Sequence, residues 1–164
     1  MIRSLSLLIS LSLLFISCDK SRVFDQYQAI DSAWHQDSIV NFTFVAPDTI
    51  HPYHLFLNIR NNNDYSFNNI FLIVSMENPE GMIRKDTLEY LMAYPDGTLM
   101  GKGFSDIKES KLFYKERMKF SKLGTYQIRI QHAVRSLGKI SGEERLKGIH
   151  DIGFRIESIP LKNE

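Results

Sequence analysis

Ser38-Ile39-Val40-Asn41-Phe42-Thr43-Phe44-Val45 puts Val40, Phe42 and Phe44 on one side of an extended chain and Asn41 and Thr43 on the other. Alternation with a period of two marks a strand buried on one face and wet on the other. Downstream, Ala46-Pro47-Asp48-Thr49 and His51-Pro52 break the pattern, because proline cannot donate to a ladder. It resumes in His54 to Arg60, where Leu55, Leu57 and Ile59 share a face, and stops at Asn61-Asn62-Asn63-Asp64, residues suited to a turn.

Further along, Ile70 to Met76 is almost continuously apolar and predicts a central strand covered on both faces. Across the turn signal Asn78-Pro79-Glu80-Gly81 it pairs as a hairpin with Ile83 to Met92, whose Leu88, Tyr90 and Met92 point inward. Tyr94-Pro95-Asp96-Gly97 opens the longest irregular stretch, Gly97 to Ser110, which reads as a crossover between sheets. Lys111 to Phe120 and Gly124 to Ile130 return to strand character. Gly124-Thr125-Tyr126 resembles a tyrosine corner, although Lys122 stands where such corners often carry Asp and the cysteine pair is missing. Glu143-Glu144-Arg145 reads as one helical turn, and Ile149 to Ile159 is the last strand, with Ile152, Phe154 and Ile156 inward. Seven or eight short strands without a long amphipathic helix predict an all-β fold: one antiparallel β-sandwich, Greek-key/Ig-like or jelly-roll-like, over residues 38–160.

Upstream of that domain, Leu5 to Cys18 is apolar and uncharged, follows Arg3, and ends on the only cysteine, with Ser17 just before it. A charged n-region, a short h-region and a small residue before cysteine make a lipoprotein signal peptide, residues 1–17, cleaved ahead of Cys18. A spanning helix needs about 20 apolar residues, and here Asp19-Lys20-Ser21-Arg22 turns polar too early. Cys18 is therefore expected to carry S-diacylglycerol and an N-acyl chain, with residues 18–37 as the lipidated N-terminus and tether. Trp34 in that lead-in is expected to pack as a plug on the edge of the domain. Losing Arg3 leaves 19 basic side chains against 19 acidic ones. So balanced a chain has no bulk field for nucleic acid.

Little in the sequence points to reaction chemistry. The five histidines, at 35, 51, 54, 132 and 150, lack metal-ligand spacing, and His132 continues the inward register of Tyr126, Ile128 and Ile130. His51 and His54 could share a metal or simply sit in a loop. Gly103-Phe104-Ser105-Asp106 lacks the second glycine of a nucleophile elbow, and acids are scattered singly through turns. No catalytic, cofactor or metal residue is assigned, no small-molecule substrate is expected, and the chain is read as a non-enzyme. One regularity stands out among the ten aspartates: Asp31-Ser32-Ala33, Asp37-Ser38-Ile39, Asp48-Thr49-Ile50 and Asp86-Thr87-Leu88 repeat Asp, hydroxyl, aliphatic, where average composition gives about 0.5. These triplets resemble O-glycosylation acceptors of Bacteroidetes envelope proteins, and they equally suit turn-to-strand starts.

Cys18 followed by Arg22 to Tyr27, Ala33-Trp34-His35, Ala46-Pro47-Asp48-Thr49, Asn58 to Asp64, Pro95-Asp96-Gly97-Thr98, Gly103-Phe104-Ser105-Asp106, Gly124-Thr125-Tyr126, Ile130-Gln131-His132-Ala133 and Asp151 to Arg155 resembles the gliding motility lipoprotein GldH family. The resemblance implies a Bacteroidetes cell-envelope lipoprotein needed for gliding. It would act beside other gliding-motility lipoproteins and in association with the type IX secretion machinery. Only Cys18 maps as a functional position. The polar residues after it lack the acidic cluster that looks like a surface-export signal in that phylum, which favours the periplasmic face of the outer membrane. An alternative is a carbohydrate- or peptidoglycan-binding module using Trp34, Phe24 and Tyr27 as an exposed aromatic line.

Overall fold

The computed structural model describes residues 19–103, 105–138 and 140–160. Cys18, the expected lipidation site, lies outside them. The strands are β1 Arg22–Ala29, β2 Ala33–His35, β3 Val40–Val45, β4 Tyr53–Asn61, β5 Asn69–Glu77, β6 Ile83–Leu91, β7 Lys108–Met118, β8 Thr125–His132, β9 Arg145–Lys147 and β10 Ile149–Ser158. Among the described residues there is no helix. Eight strands form two four-stranded sheets, ordered β1-β10-β4-β7 and β3-β8-β5-β6, and β2 pairs with β9 as a two-stranded ribbon. All these pairings are antiparallel. Only β5 and β6 are consecutive neighbours; every other step between the eight crosses from one sheet to the other. Such crossing makes the sandwich a jelly roll, one of the two forms anticipated.

The core is the sum of the inward rows. Val40, Phe42 and Phe44 meet Tyr126, Ile128 and Ile130 across β3–β8, and face Leu55, Leu57, Ile59, Ile152, Phe154 and Ile156 of the other sheet. Phe44 lies 5.5 Å from Phe154, 5.7 Å from Phe120 and 5.7 Å from Tyr126. The Tyr126 hydroxyl donates to the Lys122 carbonyl at 3.2 Å, so the tyrosine corner forms with lysine in the usual aspartate place. At one end of the sandwich Trp34 is fully buried, its Nε1–H donating to the Ser38 carbonyl at 2.9 Å. His132 stands edge-on to it at 5.2 Å and its Nε2–H donates to the Trp34 carbonyl at 3.0 Å. That bond fixes the tautomer, and burial pushes the imidazole pKa down. His132 is thus a neutral core residue.

Three expectations need correcting. Residues 22–35, read within the tether, form β1 and β2. β1 turns Phe24 toward the core and fastens its other side through polar groups, which periodicity does not register. Secondly, the strand covered on both faces is β4. β5 lies between β8 and β6 but alternates, with Ile70, Leu72, Val74 and Met76 buried and its other row half-exposed. Glu143-Glu144-Arg145 makes no helical turn: Gln36 N–H donates to the Glu144 carbonyl at 2.9 Å, and Arg145 starts β9. The sandwich itself has eight strands, within the seven or eight expected; the β2–β9 ribbon adds two more of three residues each, with one buried side chain apiece, Trp34 and Leu146.

Candidate functional site

The outer face of the β1-β10-β4-β7 sheet carries a cleft of about 740 Å³, lined mainly by charged and polar side chains, beneath the Gly101–Gly103 bend. Register builds it in rungs. Asp25 on β1 stands opposite Arg155 on β10, which stands opposite Phe56 on β4 and, beyond it, Phe113 on β7. In the next rung Tyr27 faces Gly153, then Asn58, then Lys111. The third sets Asp151 against Arg60, and Arg60 against Glu109. Each outward residue sits two positions from the next, as the pleat requires.

Arg155 is the hub. Its Nη1 lies 2.7 Å from Asp25 Oδ2, its Nε lies 2.6 Å from Glu157 Oε1, and its Nη2 reaches Asp19. Lys111 Nζ joins Glu157 at 2.6 Å while lying 4.0 Å from the Phe56 ring centre. The side chains of Arg155, Asp25 and Glu157 are only 13%, 15% and 14% exposed, so these pairs are weakly screened. The Ser21 hydroxyl and then Arg155 hold the Asp19 carboxyl down to about 2. Burial pushes Glu157 up, but its bonds to Lys111 and Arg155 outweigh that and leave it lowered.

Beside the hub, Tyr27 lies flat over Gly153, where a Cβ would come within 2.7 Å of the ring. A strand glycine covered by an aromatic ring loses less than a bare one. The Tyr27 hydroxyl donates to Glu109 Oε1 at 3.1 Å and accepts from Asn58 Nδ2 at 2.8 Å. Arg60 sits 4.2 Å over the ring and pairs with Glu109 at 2.6 Å. Burial first, and Glu109 second, raise the Tyr27 phenol to about 12.

Chemically the arrangement holds things still. Asp25 pairs with Arg155 and Glu109 with Arg60, and the Tyr27 phenol, raised to about 12, stays protonated at neutral pH. Through Asp19, Asp25 and Tyr27 it fixes β1, and the residues just ahead of it, to the sheet. Ser158 reinforces this, its N–H donating to the Ser21 carbonyl at 2.8 Å.

The other residues singled out lie elsewhere. His51 is bound by Asp48 at 2.9 Å, and His54 accepts from the Arg117 N–H at 3.3 Å. Among the described residues no three His, Cys, Asp or Glu side chains are grouped to hold a metal. Trp34 and Phe24 pack in or against the core and Tyr27 covers Gly153, so these three do not form the exposed aromatic line anticipated for a carbohydrate-binding module. Ser32, Ser38, Thr49 and Thr87 of the four triplets are all exposed. The Arg155 hub was not anticipated. Its signal was the set Asp151, Gly153, Arg155 and Glu157, interleaved with the inward Ile152, Phe154 and Ile156.

Comparison with known proteins places the chain. Residues 22–156 match the family model of the GldH lipoprotein. The gliding motility lipoprotein GldH of Flavobacterium johnsoniae is 56% identical over 156 residues, covering 95% of this chain and 97% of that protein. A gliding motility lipoprotein GldH homolog of Christiangramia forsetii is 52% identical over 145 residues, covering 88% of this chain and 89% of its own. Among solved structures, a GH115 4-O-methyl-alpha-glucuronidase aligns at 12% identity and TM-score 0.43, over 88% of this chain and 18% of that one, too loose a likeness to carry an argument. The family model spans both sheets and most of the polar cleft, and the chain belongs to the GldH lipoprotein family.

Proposed function

We propose that the mature chain is a lipid-anchored, non-catalytic cell-envelope component required for gliding motility. Cleavage after Ser17 leaves Cys18 with diacylglycerol on sulfur and an acyl chain on its amine; one chain binds a membrane reversibly, whereas two or three hold firmly. The observation that carries the proposal is the 56% identity to a gliding motility lipoprotein over nearly the whole of both chains. The cleft supports its non-catalytic part, since Arg60, Lys111 and Arg155 are paired with Glu109, Glu157 and Asp25.

In its finer form the proposal puts the sandwich on the periplasmic face of the outer membrane. Its neighbours there are other gliding-motility lipoproteins or envelope proteins, in association with the type IX secretion machinery. Replacing the chromosomal gene with a Cys18→Ser version tests the anchor: colony spreading is lost although the folded domain accumulates. Normal spreading by cells whose domain is fully soluble contradicts the proposal. Intact-mass measurement of the mature protein settles the triplets as well, since a mass made up by peptide and lipid alone removes glycans from them.

A further inference from the structure

We infer that the end of the sandwich carrying Asp19 is seated directly on the lipid surface, with three loop tips as its contact; this rests on the anchor at Cys18 proposed above. The first ground is the absence of slack. Asp19 bonds to Arg155 and Ser21 bonds to Ser158, so the chain is fastened to the sheet from its first described residue. Only one Cα–Cα step, about 3.8 Å, separates Asp19 from Cys18. A lipid on that cysteine leaves the domain no room to swing clear of the bilayer.

The second ground is what this end displays. The loops 46–52, 78–82 and 119–124 converge on it: Ala46 N–H donates to the Gly124 carbonyl at 3.0 Å, Lys122 pairs with Glu80 at 3.3 Å, and Tyr53 packs 5.8 Å from Phe120. Ser158, tied to Ser21, pairs in register with Tyr53, which brings the anchor segment to the same end. Each loop holds one apolar side chain out to solvent: Ile50 at 71% exposure, Met82 at 60% and Leu123 at 66%. Exposed lysines and arginine, Lys20, Arg22, Lys119 and Lys122, stand around them. Of the acids at this end, Asp19 is engaged by Arg155, Asp48 by His51 and Tyr53, and Glu80 by Lys122, and the exposed Glu116 has no ion pair among the described residues. Apolar tips ringed by cations are the composition that sinks into the headgroup layer. The far end also exposes apolar groups, Leu91 and Leu137 among them, but there the exposed acids Asp31, Asp37, Asp64, Asp96 and Glu144 outnumber the exposed bases Arg135, Arg145 and Lys147, an excess that an anionic lipid surface repels.

Cys18 is the only cysteine, and acylation occupies its sulfur, so an introduced thiol can be labelled alone. The mature lipoprotein is reconstituted into phosphatidylethanolamine–phosphatidylglycerol vesicles with a fluorophore placed through Ile50→Cys, Leu123→Cys or Leu137→Cys. Spin-labelled lipid then reports depth. The expected result is severalfold quenching at 50 and 123 and none at 137. Equal quenching at all three, in protein whose mass shows the acyl chains, overturns the inference and leaves the anchor standing. A mature chain whose Cys18 thiol is free removes the anchor, and the inference with it.

Discussion

β1 and β3 are edge strands facing each other along one open side of the sandwich, with Phe24 and Phe44 touching across it at 5.6 Å between ring centres. They are held by different forces. β3 drives Val40, Phe42 and Phe44 into the core, at about 1.5–3 kcal/mol for each fully buried side chain. β1 sends in Phe24 and fastens the rest through Asp25 on Arg155 and Tyr27 across Gly153. Apolar burial has no preferred direction and is not screened by ions, whereas the β1 contacts depend on geometry, ionic strength and pH. The strand nearest the proposed anchor is therefore the one whose attachment is most specific and most easily titrated.

The contrast can be broken from either side, and the core side gives the larger effect. Phe44→Ala removes a ring packed among Phe24, Phe120, Tyr126 and Phe154 and should cost about 3–5 kcal/mol, read as a fall in the urea midpoint of the whole domain. Arg155→Met strands Asp25, Asp19 and one bond of Glu157. Its expected cost is about 2 kcal/mol, between the value of an exposed pair and that of a broken buried one. Limited proteolysis should then cut within 19–29 first, leaving β3 protected. The lowered Asp19 and Glu157 carboxyls give this attachment a pH limit: it is complete above the ordinary carboxylate range and is lost as pH falls through their depressed values.

Gly153→Ala sharpens the comparison without touching a charge. The added methyl meets the Tyr27 ring, and a loss of about 1–2 kcal/mol, seen as a lower thermal midpoint, is expected from overpacking. The smallest effect belongs to His132, beside Trp34. Its imidazole stays neutral in the fold, while the unfolded chain takes up a proton near pH 6.5. Stability therefore falls as pH drops below about 6.5 and levels once the folded imidazole itself titrates, with a slope of at most about 1.4 kcal/mol per pH unit. His132→Phe should flatten urea midpoints across that window.

The same contrast explains what could be read beforehand. β3, β8 and β10 bury one face each, so alternation announces them, and Gly124-Thr125-Tyr126 announces the corner that Tyr126 closes on Lys122. β4 hides its second covered face because that row includes the polar His54, Asn58 and Arg60, of which Asn58 is buried and the other two half-buried by neighbours across the sheet. β1 escapes for the same reason. Its partners Arg155 and Glu109 lie far along the chain, and only strand register decides which acid meets which base. Nothing local announced that the hub would hold Asp19, for the same reason.

Hydrogen exchange of the mature chain, resolved along β1 and β3, tests most directly whether the segment after Cys18 is built into the sandwich. The β1 amides paired with β10 should be protected in the native protein and lose that protection selectively in Arg155→Met, with β3 unchanged. Free-peptide exchange along 22–29 in the native protein would contradict this account.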